Sequence, residues 1–145
     1  MPSSIRSGLA GLMLASALVG GPALAETISF KADLKAESEV PPSDSAGIGT
    51  LTATYDTATK KLSWTGTVSG LTGNATAAHF HGSAEPGKNA GVLVPAPKVT
   101  AGPFEGSATL TAEQARALVA GNTYFNVHTP TNPNGELRGQ VVRTK

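Results

Sequence analysis

Between Thr27 and Leu34 polar and apolar residues alternate without a break, and Ile28, Phe30, Ala32 and Leu34 take every second position. Successive side chains of a strand point to opposite faces, so this segment reads as a strand with one buried face. Pro41 and Pro42 then lack the N–H that a ladder requires, which ends the strand before the Ser/Asp/Gly stretch leading to Gly49.

The same period recurs down the chain. Leu51, Ala53 and Tyr55 alternate in residues 49–55, and Leu62, Trp64 and Val68 do so in residues 61–68. Five residues, four of them polar, connect these segments, a spacing that predicts a β-hairpin. Further strands are expected over 76–81, 104–110, 122–129 and 136–142, with a short extended piece at 91–94 inside a Gly- and Pro-rich loop. Asn134-Gly135 favours a tight reversal that would pair the last two strands antiparallel. Abundant threonine suits a pleated surface better than a helix. One helix interrupts the pattern. Thr111 and Gln114 have capping-box spacing, Ala115, Leu118 and Val119 form an apolar face, and Gly121 is placed to stop it. Seven or so short strands and one helix over about residues 112–120 predict an all-β antiparallel sandwich or barrel.

The first 25 residues stand apart. Arg6 precedes the apolar run from Leu9 to Val19, Gly20-Gly21-Pro22 breaks it, and Ala23-Leu24-Ala25 fits a small-x-small cleavage pattern. These are the parts of a secretory signal peptide, and the run falls well short of the roughly 20 residues that span a bilayer. Residues 1–25 are therefore expected to be a signal, residues 26–145 a single β domain, and the product exported to the periplasm or beyond with no stable membrane anchor. Arg6 is the one charge in the leader; the whole chain has 11 Lys+Arg and 10 Asp+Glu, so residues 26–145 are formally neutral. A nucleic-acid partner, which needs a basic face to displace counterions, is not expected. Cysteine is absent and both methionines, Met1 and Met13, lie in the leader. The domain must hold itself with its core alone, and any metal site must use imidazole, carboxylate, amide or water.

All three histidines fall in two short stretches. His79 and His81 are two apart in Ala78-His-Phe-His-Gly82, so on a strand both rings share a face while Phe80 turns to the other. His128 ends another strand and could supply a third nitrogen. Neutral imidazole is a good ligand for copper or zinc, and nitrogens converging to about 3–4 Å would support a shared ion. The alternative is a hydrogen-bonded cluster that locks two strands together. Glu136 and Arg138 are also two apart, so on a strand they share a face; Arg138 is placed to make a bidentate bond to a carboxylate, holding the sheet or an adjacent loop, or else to guide an anion or partner. Glu37, Glu39 and Asp44 read as a solvated acidic loop. No Gly-x-Ser-x-Gly elbow or phosphate-cradling loop occurs.

Several landmarks appear together in order: Leu34-Lys-Ala-Glu-Ser-Glu-Val-Pro-Pro42, Leu62-Ser-Trp64, Val68-Ser-Gly-Leu-Thr-Gly73, Ala77-Ala-His-Phe-His-Gly82, Leu118-Val-Ala-Gly-Asn-Thr-Tyr124, Asn126-Val-His-Thr129 and Asn132-Pro-Asn-Gly-Glu-Leu-Arg-Gly-Gln140. In this combination the chain resembles the CHRD (chordin) domain family over nearly all of residues 27–143. The resemblance implies an immunoglobulin-like or Greek-key all-β domain, found in secreted growth-factor binders and in single-domain exported microbial proteins. It implies no defined enzymatic activity. The expected function is thus a non-enzymatic exported domain that binds a protein partner or ligand, with His79, His81 and His128 as a copper or zinc site. The Ala-His-Phe-His-Gly stretch is also faintly similar to the copper-zinc superoxide dismutases, a metalloenzyme alternative. Their metal pair needs about twice as many histidines plus an aspartate, and their disulfide needs two cysteines. A purely structural or adhesive module is the remaining alternative.

Overall fold

The structure, a computed structural model, describes residues 20–144. Most of the expected signal segment lies outside the described residues; residues 20–26 carry no regular structure and are exposed. Among the described residues no helix is long and apolar enough to cross a membrane.

Nine strands form one continuous sheet: β1 (Thr27–Lys35), β2 (Ile48–Asp56), β3 (Lys61–Ser69), β4 (Ala77–Gly82), β5 (Val92–Pro95), β6 (Pro103–Thr109), β7 (Thr123–His128), β8 (Leu137–Gln140) and β9 (Val142–Arg143). Among the described residues there is one α-helix, α1 (Ala112–Val119), between β6 and β7, and one 3-10 turn at Ala36–Ser38. The order across the sheet is β5-β4-β7-β8-β1-β2-β3-β6, with β9 added on β1. Every pairing is antiparallel. The all-β antiparallel expectation is therefore met, in the form of one sheet curled into a nearly closed barrel.

The alternation in the sequence explains the curl. In β1 the four apolar positions are buried and the five between them exposed. The same holds for Leu51, Ala53 and Tyr55 in β2 and for Leu62, Trp64 and Val68 in β3. With one apolar face per strand, the sheet must close on itself to hide that face. Trp64 of β3 meets Phe80 of β4 edge-on with centroids 5.0 Å apart, and Phe104 of β6 stacks on Phe125 of β7 at 5.9 Å. These contacts join strands from opposite ends of the sheet order. The indole lies so close over β6 that a Cβ on Gly106 would stand 2.5 Å from Trp64 Cζ2; only glycine fits there.

The expected hairpin is present, with Asp56 paired to Lys61 and the ladder running to Ile48 opposite Ser69. The last segment differs from expectation. Residues 136–142 are not one strand: β8 ends at Gln140, Val141 turns its N–H to Thr123 O, and β9 crosses to pair with Phe30 and Lys31 of β1. Alternation alone does not show the break, because Val141 is fully buried and continues the apolar pattern.

The helix covers the gap left between the two sheet ends. Leu118 shares an apolar pocket with Leu62, Phe80, Val94 and Leu110, and Gln114 Nε2 donates to Leu93 O on β5 at 2.8 Å. The capping box is complete: Gln114 N–H donates to Thr111 Oγ1 at 3.2 Å and Thr111 N–H to Gln114 Oε1 at 2.8 Å. Thr111→Ala is expected to lower stability by about 1 kcal/mol, read as an earlier denaturant midpoint with an unchanged slope.

Candidate metal centre

The strand register places the polar groups. On β4, Ala78 and Phe80 point into the barrel, so His79 and His81 point out. On β7, Phe125 and Val127 point in, which sends Tyr124, Asn126 and His128 outward. His79 is paired with Asn126, His81 with Tyr124 and Ala77 with His128. On β8, Arg138 stands opposite Asn126. The outer face of β4-β7-β8 therefore gathers imidazoles, an amide, a phenol and a guanidinium. Loops roof it: His81, Tyr124, Asn126 and Arg138 are all buried although they face away from the core.

One ring nitrogen from each of His79, His81 and His128 lies within 4.8 Å of the others. The tightest pair is His79 Nδ1 and His128 Nε2 at 3.2 Å. Two ligands of one ion are separated by about 3.3 Å in a tetrahedron with 2.0–2.1 Å bonds, or about 2.8 Å between neighbours in a square plane. That pair is already at ligand spacing. Closing the widest separation takes an inward shift of roughly 1.5 Å, within the reach of a side-chain rotation.

His128 Nδ1 lies 2.9 Å from Pro133 O. A carbonyl can only accept, so Nδ1 carries the proton and Nε2 presents its lone pair. His79 Nδ1–H then donates to that lone pair, and ligation through His79 Nδ1 requires this ring to carry its proton on Nε2 instead. Desolvation lowers the pKa of His79, helped by His128 and His81 nearby. Desolvation also lowers His81, against the hydrogen bonds at Ala90 and Asn126. Both rings are thereby held neutral, the form that binds metal.

A layer of packed polar groups surrounds the rings. Tyr124 stacks on His81 with centroids 4.7 Å apart and planes 5° from parallel, and the Arg138 guanidinium lies 3.5 Å from the centre of the Tyr124 ring. Tyr124 OH donates to Ala90 O at 3.1 Å, the same carbonyl that faces His81 Nδ1 at 3.0 Å. Arg138 holds an adjacent loop, through an amide and a backbone carbonyl rather than a carboxylate. It donates through Nη1 to Asn89 Oδ1 at 2.8 Å and through Nη2 to Lys88 O, pinning the 83–91 loop, and neither ion pair among the described residues involves it. The reason is Tyr124, whose ring fixes the guanidinium plane and aims it at the loop.

Glu37 and Asp44 are exposed as expected, but Glu39 is not solvated: it is 4% exposed. Its Oε1 accepts from Asn126 Nδ2 at 3.3 Å, and the carboxylate rests on Gly135, where a Cβ would stand 2.3 Å away. Gly135 has a φ of +130°. Desolvation pushes the Glu39 pKa up to about 7, against lowering by Asn126 and Arg138.

Glu136 is fully buried and separate from the histidines. It accepts from Ser45 Oγ (2.7 Å), Thr72 N (2.8 Å), Thr72 Oγ1 (2.7 Å) and Thr129 Oγ1 (2.5 Å), with Asn132 Nδ2 at 3.3 Å. Burial pulls its pKa up, but the donors from Ser45, Thr129 and Thr72 outweigh that and hold it at about 2. The carboxylate ties three loops to the start of β8. Of the site residues, His79, His81 and His128 come together, Glu136 anchors loops, and Arg138 backs Tyr124. Asn126, Tyr124 and Glu39 carry no spacing signal in the sequence; only outward alternation on β7 points to the first two.

The roofed polar face on an antiparallel barrel defines a β domain with a candidate ligand centre outside its core. The CHRD domain family matches residues 30–141. The chain belongs to the CHRD domain family. No curated protein and no solved structure matches it.

Proposed function

We propose that this CHRD domain is a non-enzymatic, exported binding module whose ligand is a copper or zinc ion held by His79, His81 and His128. The observation that carries the proposal is the convergence of one nitrogen from each ring within 4.8 Å. The fixed tautomer of His128 and the neutral state of His79 and His81 support it, since each leaves a lone pair for an ion. Export is supported by the leader pattern in residues 1–25. A role in binding is favoured over catalysis because the polar groups beside the rings are engaged in fixing loops.

Calorimetric titration of the wild type with Zn²⁺ and Cu²⁺ is expected to show one site. His79→Ala should weaken it by at least 100-fold, since it removes one of three ligands. Uptake of neither ion by the wild type would overturn the proposal. Superoxide turnover by the copper-loaded protein is expected to be no faster than that of free copper, which separates binding from a dismutase activity.

A further inference from the structure

Asn126 occupies the middle of the histidine cluster. It is paired directly with His79 across the β4–β7 ladder, and His128 lies two positions along its own strand on the same face. Its Oδ1 lies 2.8 Å from His81 Nε2. Each histidine is therefore a near neighbour of one buried amide.

The contact with His81 is chemically odd for a metal-free ring. Both His81 nitrogens face oxygens: Nδ1 faces Ala90 O at 3.0 Å and Nε2 faces Asn126 Oδ1 at 2.8 Å. A neutral imidazole has one N–H. If Nδ1 donates to the carbonyl, as His128 Nδ1 does to Pro133, then Nε2 directs a lone pair at another acceptor. Turning the amide over gives His81 Nε2 a donor but sets Oδ1 against Glu39 Oε1, a contact that a protonated carboxyl meets and an ionised one does not. A cation bound to both atoms removes the conflict outright. The 2.8 Å separation matches neighbouring ligands at 2.0 Å bonds.

We propose that Asn126 Oδ1 is a fourth ligand of the ion, completing a three-imidazole, one-carbonyl set, and that Glu39 is the positioning residue that holds the amide oxygen toward it. Glu39 accepts from Asn126 Nδ2 at 3.3 Å and is itself seated on Gly135. The fourth ligand is a hard oxygen and the domain offers no sulfur, so the set suits Zn²⁺ or Cu²⁺ and disfavours Cu⁺. This inference rests on the metal-binding proposal above, and its test separates the two.

In the wild type, NMR of the side-chain amides during Zn²⁺ titration should move the Asn126 carbonyl carbon in step with the histidine resonances, leaving those of Asn74 and Asn134 in place. Shifted histidines with an unmoved Asn126 carbonyl would overturn the fourth ligand while leaving the histidine site intact. If no resonance moves, the metal-binding proposal itself fails. Two variants, with folding checked by circular dichroism, give an independent reading with Co²⁺ as a spectroscopic probe. Asn126→Asp keeps an oxygen donor and should preserve the visible spectrum with equal or tighter binding. Asn126→Ala should bind roughly 10–100-fold more weakly with a changed spectrum, because water replaces the amide. An unchanged spectrum in folded Asn126→Ala would also overturn the assignment.

Discussion

Glu136→Ala is expected to destabilise the domain by about 3–5 kcal/mol, enough to lower the melting point by roughly 10–20 °C. The side chain is fully buried and accepts from Ser45, Thr72, Thr129 and Asn132. Removing it strands the Ser45 hydroxyl and the Thr72 N–H, while the Thr72 hydroxyl keeps Thr129 Oγ1 at 3.3 Å and Asn132 Nδ2 at 3.5 Å. Thermal unfolding followed by far-ultraviolet circular dichroism reads the loss. A drop below 1 kcal/mol would mean that water replaces the carboxylate at little cost. The pH dependence has a definite sign. The carboxyl titrates at about 2 in the fold against 4.5 ordinarily. Its contribution is fully present above pH 4.5 and disappears as pH falls through 2. Glu136→Gln should lack that acid-side decline.

Glu39→Gln is expected to act in the opposite direction. Glu39 titrates at about 7 when folded and 4.5 ordinarily. Below pH 4.5 both states are protonated and burial carries no ionic penalty. Between 4.5 and 7 the unfolded chain ionises while the fold retains its proton, so stability falls as pH rises, and above 7 the loss is complete. The substitution should therefore stabilise the metal-free domain at pH 8 relative to pH 4.5 by an amount on the order of 3 kcal/mol. His79 and His81, lowered by desolvation, lose stability below their ordinary 6.5 in both proteins, so the difference between the two curves isolates Glu39. Chemical denaturation of both proteins across pH 4.5–8 supplies the curves. Parallel curves would show that Glu39 is charged at little cost, and its burial would need another explanation.

The fold was legible because alternation is a local signal. Ile28 to Leu34, Leu51 to Tyr55 and Leu62 to Val68 each state their own buried face, and Thr111 with Gln114 state the helix start. The His79/His81 side of the centre was legible for the same reason. What is not local could not be read. Glu39 sits among Glu37 and Asp44 in a polar stretch, yet it folds beneath Asn126, which lies 87 residues away. Arg138 shows its burial only through Tyr124 and the 83–91 loop. Asn126 looks like an ordinary outward residue of a strand until register brings it opposite His79.

Forty-nine residues separate His79 from His128, and no single hairpin contains both. An ion gripping all three rings would bind the assembled barrel and hardly at all the open chain, so mass action would make it a folding ligand. At a free concentration 100 times the dissociation constant it would add about 2.7 kcal/mol. Depleting the ion from the surroundings would then shorten the lifetime of the domain against proteases, coupling its abundance to metal supply with no sensor beyond the barrel itself.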